Sequence, residues 1–194
     1  MNIFILDENI DRAAEYHIDA HTGKMQLEAA QMLCTIHWID KFVGYVPRAL
    51  TSEEWGTVAL RKTDEPRHFP YLPTMYNHPC TIWARTSQQN YEWLWCYAHA
   101  LNIEHQYRGG ADHKSFREVI NRLPDISLPT EPGLTPFAQA MPDELKSDDA
   151  VESYRMFYML DKAAISKGAN WKVRGKPYWW DETVANYDSR ISRK

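Results

Sequence analysis

The sequence predicts a mainly α fold, a single compact helical domain over residues 1–194 with long loops and a basic, aromatic C-terminal segment. Three observations carry this. Apolar residues recur at helical spacing in three long stretches, near 19–42, 79–107 and 147–167. The prolines gather in the connections at 43–76 and 124–142. The length of 194 residues suits one domain with a substantial core.

In chain order, Ile3 to Leu6 reads as a short buried strand, and Asp7 or Asn9 as the cap of a following helix. Asp19 marks a possible break, so the stretch up to Phe42 is either one long helix or two. Its apolar stripe is Met25, Ala29, Met32, Leu33 and Ile36. Residues 43–76 form a loop excursion with one helical turn at Ser52–Ala59. Pro79 suits a first helical turn, and the helix it opens runs to Tyr107 with Trp83, Ser87, Tyr91, Leu94, Ala98 and Leu101 inward. Gly109-Gly110 ends it, His113 opens a shorter helix to Leu123, and residues 124–142 cross to a last helix over Ser147–Lys167. The tail, 168–194, interleaves Lys172, Arg174 and Lys176 with Trp171, Tyr178, Trp179 and Trp180.

The net charge of −4 argues against non-specific coating of nucleic acid, which depends on neutralised phosphates. The charge is segregated, however: residues 162–194 carry +5, leaving −9 for residues 1–161. That fits a basic tail meeting a polyanion, and equally a solvated end. Eight Trp and eleven Tyr can fill a core or stack on bases. Cys34, Cys80 and Cys96 are an odd set without a CxxC pair, so a reducing, cytoplasmic setting is expected. Neither a leader nor a membrane span is expected.

The sharpest local feature is a polar stripe beside the apolar one. His17, His21, Lys24 and Glu28 follow one another at spacings of four, three and four, with Asp19 close by. Polar groups at the edge of a core are costly unless they pair with each other or with a ligand. The pair His17 and His21 has metal-ligand spacing, with Glu28 or His113 as further ligands, although Ile18 stands where the metalloprotease signature needs a glutamate. Buried hydrogen bonding or proton transfer explains the same pair. Lys24 is a candidate imine-forming amine or an ion-pair partner of Glu28. Asn77, His78 and Arg85 at one helix start, and His113, Lys114 and Ser115 at another, suggest anion contacts or simple caps. The rings of 171–180 suit unpaired bases or a tail folded back on the core.

Three segments, His17 to Leu33, Asn77 to Trp83 and Thr135 to Asp143, resemble a group of small phage and giant-virus proteins. The wider pattern is similar to the pyrimidine-dimer DNA glycosylase family. Asp11 to Glu28 stands for its first helix, Asn77-His78-Pro79 precedes the next, and Tyr107 to Ser115 follows. The resemblance implies a compact helical enzyme that flips a nucleotide out of duplex DNA and cleaves the glycosidic bond with an amine nucleophile and a helix-borne glutamate. It also implies a Trp-, Tyr- and Lys-rich C-terminal segment, as in Trp171 to Tyr187. Phage members use the α-amine of a small second residue after loss of the initiator Met. Here Asn2 should leave Met1 in place, so imine chemistry falls to Lys24 or is absent.

The leading expectation is therefore a glycosylase-type enzyme acting on a flipped pyrimidine nucleotide. Glu28 or Asp19 stabilises charge on the sugar, His21 and His17 move protons, and Lys24 attacks. Asn77, His78, Arg85, His113, Lys114, Ser115 and Gln139 contact substrate, and Trp179 stacks on the base. No cofactor is needed. The alternatives are a nucleotide hydrolase or transferase using a divalent transition metal on His17 and His21, and a non-catalytic nucleotide-sequestering protein.

Overall fold

The computed structural model describes residues 1–162, 169–181 and 183–184. Among these residues the architecture is helical, without strands, and α2 is its axis. Helix α1 spans Ile10–Glu15 and is capped by Asn9, whose side chain accepts from the Arg12 amide at 3.0 Å. Helix α2 spans Asp19–Phe42. The break at 16–18 settles the open choice in favour of two helices, and Asp19 is the first helical residue rather than the cap, which is Ile18. Ile3 to Leu6 is buried but pairs with no strand, which corrects the expected β-element.

The predicted stripe of α2 is buried, and so are Cys34, Trp38 and Ile39 on its other sides. A helix enclosed on several faces needs cover all round. Helix α5, Gln88–Tyr107, lies along it, while α1 packs on α5 and α4, Pro79–Ala84, packs on α2. The expected single helix from Pro79 to Tyr107 is thus divided. Arg85 and Thr86 leave the helix, and Ser87 caps α5 by accepting from the Asn90 amide at 3.2 Å.

The excursion at 43–76 covers the C-terminal half of α2. It contains α3, Ser52–Leu60, closed by a capping box between Thr51 and Glu54. The Trp38 indole donates to the Tyr71 carbonyl at 2.8 Å, and the Thr35 hydroxyl donates to that of Thr74 at 3.1 Å. These bonds hold the loop on the helix. Helix α5 ends at Gly109, where φ is +89°, and the chain then passes so close to His105 that a Cβ at Gly110 would collide with the imidazole. Helix α6, Lys114–Glu118, continues into a 3₁₀ turn at Ile120–Arg122. After the proline-rich crossing, α7 covers Ala150–Phe157 and passes into a π turn at Tyr158–Lys162. The rest of the expected last helix, 163–167, and most of the tail beyond 181 lie outside the described residues. No helix among the described residues is long and apolar enough to cross a membrane.

Candidate functional site

The polar stripe of α2 divides into two environments. Its C-terminal part forms a charged cluster with the first residues of the chain. The Glu28 carboxylate is 13% exposed; its Oε2 accepts the Asn2 amide at 2.7 Å and lies 3.7 Å from the Met1 amino nitrogen. Its other oxygen is 3.8 Å from the Lys24 amine, whose side chain is 56% exposed. One carboxylate is therefore flanked by two amines of different exposure. The Met1 end is held: the Asn2 carboxamide donates to the Ala140 carbonyl at 2.9 Å and accepts from the Ile3 amide at 2.8 Å. The Thr81 hydroxyl also reaches the Met1 sulfur at 3.7 Å. Ala140 is fixed in turn by Tyr154, whose hydroxyl donates to the Ala138 carbonyl at 2.6 Å and accepts from the Ala140 amide at 3.2 Å.

The N-terminal part of the stripe enters a packed ring cluster. His17 is fully buried; its Nδ1–H donates to the Ala13 carbonyl at 2.7 Å and its Nε2 accepts from the Tyr97 hydroxyl at 3.0 Å. Burial, then the nearby His21, pushes its pKa down to about 3, so it is neutral at physiological pH. His21 Nδ1 pairs with the Tyr158 hydroxyl at 2.7 Å, and the same hydroxyl accepts the Ile18 amide at 3.1 Å. The Phe4 ring stacks on His21 with centroids 5.7 Å apart. His17 and His21 are 6.3 Å apart between ring centroids, and both nitrogens of His17 are already used. Among the described residues, no three His, Cys, Asp or Glu side chains gather to hold a metal.

Asp19 serves the tail. Its carboxylate accepts from Arg108 Nη1 at 2.8 Å and from the Lys172 amide at 3.1 Å, while its own amide donates to the Asn170 carbonyl at 2.8 Å. Arg174 continues the clasp, reaching Glu104 at 2.8 Å and Glu15 at 3.1 Å and lying 3.9 Å over the Tyr107 ring. The Trp171 indole donates to the Tyr16 carbonyl at 3.0 Å. Trp179 packs against Tyr16 and Tyr158, with the Arg155 guanidinium 5.5 Å from its ring centre. Of the four rings predicted to meet bases, only Tyr178 is largely exposed, at 78%. The described tail is folded back on the body, with Trp171 buried and Trp179 and Trp180 half-buried against the core.

The middle-third candidates separate in the same way. Arg85 is 2% exposed and its fork is spent on carbonyls: Nε donates to Val46 at 2.7 Å, Nη1 to Tyr76 at 2.6 Å and Nη2 to Arg48. That corrects the expected phosphate contact, because the guanidinium is buried and each of its three nitrogens already donates to a loop carbonyl. Asn77 bridges both backbone groups of Leu50, and Ser115 pairs with the Tyr71 hydroxyl at 3.0 Å. Gln139 donates to the Ser147 carbonyl at 2.6 Å, so the third motif serves the site through its Ala140 backbone. His78 and His113 are both N-caps, accepting from the amides of Cys80 and Ser115, each at 3.2 Å. Burial and then the Met1 ammonium lower the His78 pKa. His113 lies against Gly23 of α2, with its neighbour Lys114 exposed.

Sequence reasoning named Met1 and Asn2 but left imine chemistry to Lys24 or to none, because the meeting of the first segment with Glu28 depends on its crossing of α2. It missed Tyr97 and Tyr158, whose hydroxyls sit on the histidines. Comparisons with family models, with curated proteins and with solved structures each give no match, so geometry carries the functional argument.

Proposed function

We propose that this protein is a DNA-base-acting enzyme of glycosylase type, with the Met1 α-amine as nucleophile and Glu28 as its carboxylate partner. The observation that carries this is the 3.7 Å approach of the Met1 nitrogen to Glu28 Oε2. The motif resemblance, which implies an amine and a helix-borne glutamate, supports the same reading. An amine on a residue whose side chain is buried, whose sulfur meets Thr81 and whose neighbour Asn2 is bonded to Ala140, loses less freedom on attack than the exposed Lys24. In the reaction the amine nitrogen bonds to C1′ of the extruded nucleotide as the C1′–N bond to the base breaks. The base leaves with the electron pair and takes up one amine proton; the C1′–O4′ bond then breaks, O4′ takes up the second, and the open sugar is left as an imine. Glu28 stabilises the positive charge that develops at C1′.

Duplexes carrying pyrimidine lesions, among them a thymine dimer and uracil, are incubated with the protein and borohydride. The expected result is base release with a protein–DNA species trapped by reduction, lost in Glu28→Gln and retained in Lys24→Ala. Trapping lost in a folded Lys24→Ala protein would move the nucleophile to Lys24. Tight reversible binding of DNA or nucleotide, with neither base release nor trapping on any substrate, would overturn the enzymatic reading.

A further inference from the structure

A groove of about 620 Å³ runs between the first half of α5 and residues 120–126. Its size is that of a site for a small organic ligand. The α5 wall presents Glu92, Trp95 and Cys96, and the loop side presents Leu123, Asp125 and Ile126. None of the lining residues is Lys, Arg or His. The charged side chains of the lining, Glu92 and Asp125, are both acidic. Glu92, after burial, raises the Cys96 thiol, and Asp125 adds to the burial and the Cys34 thiol that raise the Tyr91 hydroxyl.

The groove is also preformed. The Gln88 amide donates to the Pro129 carbonyl at 2.8 Å, and its side-chain oxygen accepts from the Leu128 amide at 2.9 Å. The same side chain donates to Glu92 at 3.0 Å, which ties the carboxylate to the wall. Tyr91 is pinned by its hydroxyl to His37 at 2.8 Å. A ligand therefore meets a shaped site and need not order the loop.

We propose that this groove binds an organic cation, an ammonium carried on an aromatic body, with the charge held by Glu92 and Asp125 and the ring laid against Trp95. Two carboxylates repel a nucleotide or any other anion, and the apolar remainder of the lining is unsuited to a bare metal ion. An aromatic ammonium satisfies both parts of the lining, through charge pairing and ring contact.

Cys96 is the exposed thiol of the three cysteines, whereas Cys34 and Cys80 are buried, so thiol chemistry on the native protein reports on this groove. The full chain is treated at low salt with a trimethylammonium thiosulfonate and with its sulfonate counterpart. Relative to free cysteine, the cationic reagent is expected to react about tenfold faster or more. The preference should collapse at high salt, and in the Glu92→Gln/Asp125→Asn protein. Tryptamine should protect Cys96 from neutral iodoacetamide with half-protection below about 1 mM, and indole-3-propionate should not. Should the double variant not fold, the salt dependence and the tryptamine protection on the native chain decide alone. Equal reagent rates, or half-protection by tryptamine only above that concentration, would overturn the proposal.

Discussion

The Tyr97 hydroxyl donates to His17 Nε2 at 3.0 Å and thereby fixes the imidazole as the neutral tautomer that donates from Nδ1 to Ala13. The bond is wholly buried, so removing one partner strands the other. Tyr97→Phe should destabilise the protein by about 1–3 kcal/mol, measured by urea unfolding. Unchanged stability would mean that the ring cluster repacks around His17.

The same burial predicts acid lability. Unfolded histidines take up protons near pH 6.5, whereas His17 does so near 3 and His37, desolvated beside Tyr91, near 4. Between these values the unfolded chain binds more protons, so stability is lost as pH falls through that window. At pH 5 the loss should be about 2 kcal/mol for each histidine, read from urea midpoints at pH 7 and pH 5. Equal stability at the two values would contradict the buried neutral state.

Arg85 should behave as a loop staple. Arg85→Met leaves three carbonyls without donors and should cost about 3–5 kcal/mol. A stability-neutral change that weakened DNA binding would restore the phosphate-contacting role.

Glu104, almost wholly buried, holds Arg108 at 2.6 Å and Arg174 at 2.8 Å. Glu104→Gln leaves Arg108 with only part of its pairing, so a loss of about 3 kcal/mol is expected. Limited proteolysis should then cut within 172–176, where the clasp has opened. A tail as resistant as in the native chain would show that its rings alone hold it.

The sequence and the structure agree where one helix suffices for the inference. The stripe from Met25 to Ile36 is core as its spacing requires, Thr51 and Glu54 cap α3, and Pro79 opens α4. Agreement fails where long-range contacts decide. Helical spacing puts His17, His21, Lys24 and Glu28 on one side of a helix, but says nothing of what crosses each turn. Phe4 closes over His21 while Asn2 meets Glu28, two residues apart in sequence, and that crossing converts one stripe into two environments. Arg85 misled for a related reason: a guanidinium that neutralises a ligand and one that satisfies a loop backbone look alike until the loop is placed. The tail was legible as aromatic and basic, yet its clasp depends on Glu104 and Asp19, which are remote in the chain.

The central claim is that Glu28 works with the α-amine of Met1. Its most direct measurement is mass spectrometry of the peptides from borohydride-reduced protein–DNA complex. The account predicts a reduced sugar adduct on the amino group of the N-terminal peptide, absent in Glu28→Gln. An adduct confined to the peptide containing Lys24, or none on any peptide of folded protein, would contradict it.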